Sequence, residues 1–364
     1  MFYDISSAGF ANPNTLFILL LALMLDALLG GVTGLFRIFP HPVRLMGGVI
    51  GELDRRLNRE SRSEKARLIR GALCVLLVLG LFAALAILIL DIAARFSQGW
   101  LIELFFVAIL IAQHSLYIHV RAVGRALEKK GVVGARKEVA HIVGRDPESL
   151  DKYAVARAAI ESCAENFNDG VVAPVFWYLL LGLPGLFIYK AANTMDSMIG
   201  HKSPRHKSFG MVAARLDDAL NYIPARISGV LLLLAAFFVP TANPLRGLKT
   251  MLRDAGNHSS SNAGWPEGAS AGALDLALAG PRRYGGVTVK DSWIGKGRAR
   301  AIPQDIRRML FLFVVACLIQ AGLVAGFLSL RVAGPEAITQ HASDVAALYE
   351  MFRAALENIL TKFF

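Results

Sequence analysis

Four apolar runs, residues 15–31, 71–90, 101–118 and 309–330, constrain this 364-residue chain more than any other feature. Each is long enough to cross a bilayer, which takes roughly 20 residues of helix, whereas buried core helices are typically shorter. The 55% hydrophobic content and the mean hydropathy of +0.48 agree. The expected fold is all-α: a polytopic integral membrane protein, 1–364 as one membrane domain. It has about four full transmembrane helices, one or two broken or re-entrant segments, and cytoplasmic polar segments that form a site.

The net charge of +11 lies between the apolar runs. The links 37–70 and 121–160 carry nine Lys and Arg each, while 91–100 carries Arg95 alone. This is the positive-inside pattern, with the first two links cytoplasmic and the third outside. It predicts a multi-pass protein of the cell (inner) membrane in contact with the lipid bilayer, its N-terminus outside. No basic stripe interleaved with aromatics appears, so no nucleic-acid partner is expected. Cys74, Cys163 and Cys317 form no CxxC pair, which argues against a disulfide framework or a zinc site. Asp4 and the lack of a basic n-region make the first run an anchor rather than a cleaved signal.

The segment 121–170 is expected to be cytoplasmic and helical. Asp146 before Pro147, with Glu148 in the first turn, predicts a helix from Pro147 to about Asn166. Residues 171–192 and 227–240 are broken, re-entrant or short spans. The first is interrupted by "GLPG" at 182–185, which breaks a helix. If both segments return to their starting side, all polar segments from 121 to 308 share one face. Residues 241–308 are expected as a cytoplasmic Gly/Ser-rich loop region, and 343–364 as an amphipathic helix.

Polar groups gather in four stretches. Glu161 and Glu165 in "ESCAENFNDG" are four apart and share a helix face. Asn168 and Asp169 follow in the next turn or just beyond it; the bland alternative is a solvated helix end. "YKAANTMDSMIGHKSPRHK" holds Lys190, Asn193, Asp196, Lys202 and Arg205, and reads equally as a basic loop facing lipid headgroups. "ARLDDALNYIPAR" holds Asp217, Asp218, Asn221 and Arg226, where a solvated face is the competing explanation. "RDAGNHSSSNAGWPEGASAGAL" offers Arg253, His258 and Asn262 among small residues that let backbone approach a ligand. Asp26 lies inside an apolar run, where a carboxylate implies function and a basic partner. His41 and Arg44 sit at the mouth of the same helix, and His114 and His119 read as packing or interfacial residues. No Walker A pattern is present.

Taken together, "HPVRLMG", "ESCAENFNDGVVAPVFWY", "YKAANTMDSMIGHK", "FGMVAARLDDALNYIPARI" and "RDAGNHSSSNAGWPEGASAGAL" resemble the CobD/CbiB family of adenosylcobinamide-phosphate synthases, over about Asp26 to Gly297. The resemblance implies a ligase of cobalamin biosynthesis. It would join a carboxylate of adenosylcobyric acid to (R)-1-amino-2-propanol O-phosphate or a related amino alcohol, with ATP and Mg²⁺. The corrinoid and aminopropanol phosphate are the implied partners, and a homodimer or an association with other membrane proteins of the pathway is open. Glu161, Glu165 and Asp217 become catalytic candidates, and Asp169, Asp196 and Asp218 metal ligands. Asn166, Lys190, Asn193, Lys202, Arg205, Asn221, Arg226, Arg253, His258 and Asn262 become substrate and phosphate contacts. The competing readings are a non-catalytic membrane sensor of the same fold and a transporter, which predicts inverted repeats.

Overall fold

A computed structural model describes residues 13–30, 41–144, 146–284, 287–289 and 292–337. The expected helix at 343–364 lies outside the described residues. The helices are α1 (Pro13–Leu29), α2 (Pro42–Leu57), α3 (Glu64–Ala93), α4 (Trp100–Leu110), α5 (Gln113–Lys129), α6 (Gly131–Val139), α7 (Lys152–Phe167), α8 (Ala173–Ile199), α9 (Met211–Ala235), α10 (Pro244–Asp254), α11 (Gly264–Leu274) and α12 (Pro303–Ala337). Two short antiparallel ribbons pair β1 (Leu278–Ala279) with β4 (Trp293–Ile294) and β2 (Arg282–Tyr284) with β3 (Val287–Val289). Five helical stretches among the described residues are long and apolar enough to cross a membrane: 64–93, 100–129, 152–199, 211–235 and 303–332. The chain is an all-α, multi-pass membrane protein.

The apolar run 101–118 differs from the single helix its composition predicts. α4 stops at Leu110, Ile111 is extended (φ −91°, ψ 143°), and α5 begins at Gln113. Asp26 accounts for the break. Its carboxylate accepts from the backbone N–H of Gln113 at 2.7 Å and of His114 at 3.3 Å, so α1 caps a half-helix. The expected basic partner is replaced by the positive end of a helix dipole. The freed N–H of Ala112 donates to the Gly170 carbonyl at 2.9 Å, which ties this break to the start of α8.

The helix expected from Pro147 begins instead at Lys152. Asp146 caps only a 3₁₀ turn, Pro147–Ser149, while Asp151 accepts from Ala154 N at 2.6 Å and starts α7. Both aspartates can cap; Leu150 is held extended between them, its carbonyl accepting from Arg136 Nε at 2.9 Å. The segment 241–308 is likewise more than a loop. Its Ala-Gly-rich part forms α11, buried from Pro266 to Leu274 against α9, α10 and α7. Small side chains make that close packing possible.

The run 152–199 is a hairpin. α7 passes through one π turn, Asn168–Val172, into the first part of α8, where Gly182 takes φ 63°, ψ −153°. That conformation is essentially confined to glycine, and Pro184 prevents the helix from healing across it. The chain reverses there: Asn193 meets Asp169 across a sequence separation of 24 residues, which an unbroken helix would hold about 36 Å apart. Both ends of the hairpin therefore lie at the same end of the bundle.

Two apolar clusters make up the core and meet at a seam. One joins α1, α3, α4 and α8; the other joins α5, α7, α11, the end of α9 and the first half of α12. Val172 belongs to the second cluster and Val175 to the first; on α9, Leu231 belongs to the second and Leu220 packs on the first. The π turn and the middle of α9 thus occupy the seam.

Candidate functional site

At that seam the sequence supplies amides and carboxylates in place of apolar side chains. Asn193 Nδ2 lies 3.2 Å from Asp169 Oδ2 and 3.4 Å from Asp217 Oδ1, so one amide bridges two carboxylates. Asn221 Nδ2 donates to Asp217 Oδ2 at 3.0 Å. Its Oδ1 accepts from Asn168 Nδ2 at 2.8 Å and from the Tyr189 hydroxyl at 3.0 Å. Asn168 Nδ2 also donates to Asp169 Oδ1 at 2.7 Å. Both neighbours of that amide are acceptors, so its orientation is fixed. Its own oxygen is left buried with no hydrogen-bond partner. Lys190 is buried, within electrostatic reach of Asp169 and Asp217. Trp177 Nε1 donates to the Leu220 carbonyl at 3.1 Å and clamps the hairpin to α9.

The adjacent residue of α9 serves a second group. Asp218 accepts from Ser261 Oγ at 2.8 Å, and its carbonyl accepts from Asn262 Nδ2 at 2.8 Å. Asn262 Oδ1 accepts from Arg226 at 2.9 Å. The Arg226 guanidinium is stacked over Tyr222, 3.7 Å from its ring centroid, with Trp265 at 4.4 Å. Neighbouring positions on a helix point about 100° apart, so Asp217 turns to α8 and Asp218 to the loop before α11.

Other expected site residues are engaged elsewhere. Glu161 is buried and accepts from Ala279 N at 2.9 Å, tying α7 to β1. Glu165 and Lys202 are exposed, and Asn166 donates back to the Ser162 carbonyl at 2.9 Å. Arg205 is drawn to α2 by Asp54, 2.9 Å away. Burial pushes the Asp54 carboxyl up, but hydrogen bonds from Asn58 and Arg205 and the charge of His206 outweigh it and hold it below the ordinary carboxylate value. Arg253 forks onto Asp254 through two contacts of 2.6 Å, and that hydrogen bonding holds the Asp254 carboxyl low. His258 Nε2 is 3.5 Å from the buried carboxylate of Glu267.

Asp196 is within electrostatic reach of both Asp169 and Asp218. The three do not converge as the expected trio of ligands, because Asp169 faces Asn193 and Asp218 faces Ser261. Among the described residues no three His, Cys, Asp or Glu side chains gather closely enough to enclose a metal ion. Tyr189 and Glu267 are outside the residues singled out from the sequence, and Asn168 is singled out there without a role. Asn168 had a signal, since it stands between Glu165 and Asp169 in the acidic stretch; Tyr189 and Glu267 had none.

The fold and this seam define a class: a multi-pass α-helical membrane protein with a buried cluster of carboxylates and amides formed by the α7–α8 hairpin and α9. A model of the family described as CobD/Cbib protein matches residues 19–313, and the chain belongs to that family. It is 50% identical over 316 residues to a protein of a Sinorhizobium species named Cobalamin biosynthesis protein CobD, covering 86% of this chain and 98% of the relative. Proteins of the same name from Brucella anthropi and Rhodobacter capsulatus are 46% identical over 317 residues (85% and 95% covered) and 41% over 300 (81% and 91%). No solved structure matches the chain.

Proposed function

We propose that this protein acts in cobalamin biosynthesis as an ATP-dependent amide ligase, joining adenosylcobyric acid to (R)-1-amino-2-propanol O-phosphate to give adenosylcobinamide phosphate. Family membership and the relatives' names support the pathway. The observation that carries the chemistry is the bridging of Asp169 and Asp217 by Asn193, with Lys190 beside them, in a buried seam. A carboxylate is a poor acyl donor, so the γ-phosphoryl of ATP first passes to the corrinoid carboxylate, giving an acyl phosphate and ADP. The amine then attacks the acyl carbon. The C–N bond forms, the acyl C–O bond to phosphate breaks, and inorganic phosphate leaves.

Asp217 is the residue best placed to take the proton from the attacking ammonium, since Asn193 and Asn221 fix both its oxygens. Lys190 and Arg226 are the cations of the two polar groups and suit phosphoryl charge. Arg205 and Arg253 are paired with aspartates and are weaker candidates. The unmatched oxygen of Asn168 beside Asp169 fits a hard cation such as Mg²⁺, which binds through one or two carboxylates, waters and substrate phosphates; Asp169 and Asn168 would hold it. Bound there, Mg²⁺ would neutralise phosphate charge. The basic links between the apolar runs support, through the positive-inside rule, a site on the cytoplasmic face of the inner membrane.

The test is direct. Purified protein in detergent is given adenosylcobyric acid, ATP, Mg²⁺ and aminopropanol phosphate, and products are read by mass spectrometry. The condensed amide with stoichiometric ADP is expected. Absence of both, with the corrinoid shown to bind, would leave a sensor; ATP hydrolysis without condensation would point to a different acceptor.

A further inference from the structure

α9 has the length and composition of a membrane span, 25 residues or about 37 Å. Its two ends are nevertheless fastened to the same end of the bundle. At its start, Phe209 packs so tightly on Gly71 that a Cβ there would meet the Phe209 carbonyl at 1.9 Å, and the apolar run of α3 begins just after Arg70. Past its end, the Thr241 carbonyl accepts from Arg308 at 3.2 Å, and the apolar run of α12 begins just after Arg308. These two anchor points are on one side. α3 ends at Ala93, the turn 94–99 reverses the chain, and α4–α5 run back until Gly124 lies against Ile306 at the start of α12, a Cβ there meeting Ile306 at 3.4 Å. Between its anchors α9 holds Pro224, which removes one backbone hydrogen bond from the helix and favours a kink there.

The outward side of this arch is apolar. Tyr222, Ile223 and Val230 are exposed along it, and Phe237 is 69% exposed just beyond. α10 continues the surface with Leu245, 73% exposed, and Leu252, while Arg246 and Lys249 are exposed on the same helix. Apolar side chains bordered by cations are the marks of a helix lying in a membrane interface that carries anionic lipid.

We propose that α9 does not cross the bilayer but enters and leaves its basic-side leaflet as an arch, and that the outer faces of α9 and α10 bind the acyl chains and anionic headgroups of that leaflet. The lipid surface is the fitting occupant because the patch carries matching charge and because α3 exposes Ile69 and Leu73 beside Gly71, where α9 is anchored. The site at Asp217 then lies on the inner side of the arch, below the headgroups rather than across the membrane. The proposal concerns topology and stands whether or not the protein is a ligase.

The test uses the full chain, whose own thiols are buried or half-buried. Lys207→Cys, Thr241→Cys and Ser97→Cys are labelled with a membrane-impermeant maleimide in right-side-out and inverted vesicles. Lys207→Cys and Thr241→Cys are expected to react from one side and Ser97→Cys from the other; reaction of the first two from opposite sides overturns the arch. Spin labels at Val230→Cys, Leu234→Cys and Phe238→Cys in vesicles containing phosphatidylglycerol should collide with oxygen in preference to a water-soluble nickel chelate. The reverse preference would make the face aqueous, and spin–spin broadening would make it a contact with a second copy; either result overturns the lipid assignment.

Discussion

Asn193 donates to Asp169 at 3.2 Å although 24 positions of chain separate them. The contact exists because the chain turns back at Gly182, and it sets Asp169 beside Asp217 with a neutral amide between. Two carboxylates of like charge would otherwise repel in this seam. The amide lets both remain close while Lys190 supplies compensating charge.

Replacing Asp217 by Asn preserves shape and removes the base. Condensation of adenosylcobyric acid with aminopropanol phosphate should fall by about 10²- to 10⁴-fold, the usual range for a lost general base. Corrinoid binding, followed by absorbance on titration, should stay within a few-fold. Full activity in Asp217→Asn would remove this residue from the mechanism.

Gly182→Ala tests the reversal. At φ 63°, ψ −153° a Cβ is strained by roughly 1–3 kcal/mol. A lower melting temperature in detergent is expected, with activity falling in parallel because Asn193 loses its register against Asp169. Unchanged melting would mean that the backbone there relaxes freely.

Asp26 is a cap, so its loss should depend on what replaces it. Asn retains an acceptor for the Gln113 N–H, whereas Leu leaves that buried donor unsatisfied, at a cost of about 1–3 kcal/mol. Thermal unfolding should rank wild type, Asp26→Asn, Asp26→Leu. Equal stability of the two variants would deny the capping role.

The Asp54 network predicts an acid-side effect. A carboxyl held below its ordinary value in the fold stabilises the protein above the unfolded value of about 3.9, and that contribution fades as pH falls from there through the lower folded value. Proteolysis of the 200–210 loop, which Asp54 holds through Arg205, should increase below about pH 4 in wild type. Asp54→Asn should show that increased cleavage already at neutral pH.

By itself the sequence determined that this is a helical membrane protein, which stretches are apolar enough to enter lipid, and which polar residue types surround the site. Transfer to lipid is a sum over neighbouring residues, so runs such as 71–90 and 309–330 declare themselves locally. Asn193, Asp217 and Asn221 were also legible, because amides and acids are costly beside apolar runs. Tertiary structure alone decided which of them meet. Glu161 and Arg205 have the same chemistry as true neighbours of the site, yet the fold gives one to the backbone of Ala279 and the other to Asp54. It also decided that 101–118 breaks, because Asp26, whose carboxylate accepts from the Gln113 N–H, sits 87 positions away in sequence. In the proposed arch, the side on which α9 leaves the bilayer is set by Gly71 and Arg308, residues far from it in sequence. Local hydropathy measures how much a segment prefers lipid; only its anchors fix the side on which it leaves.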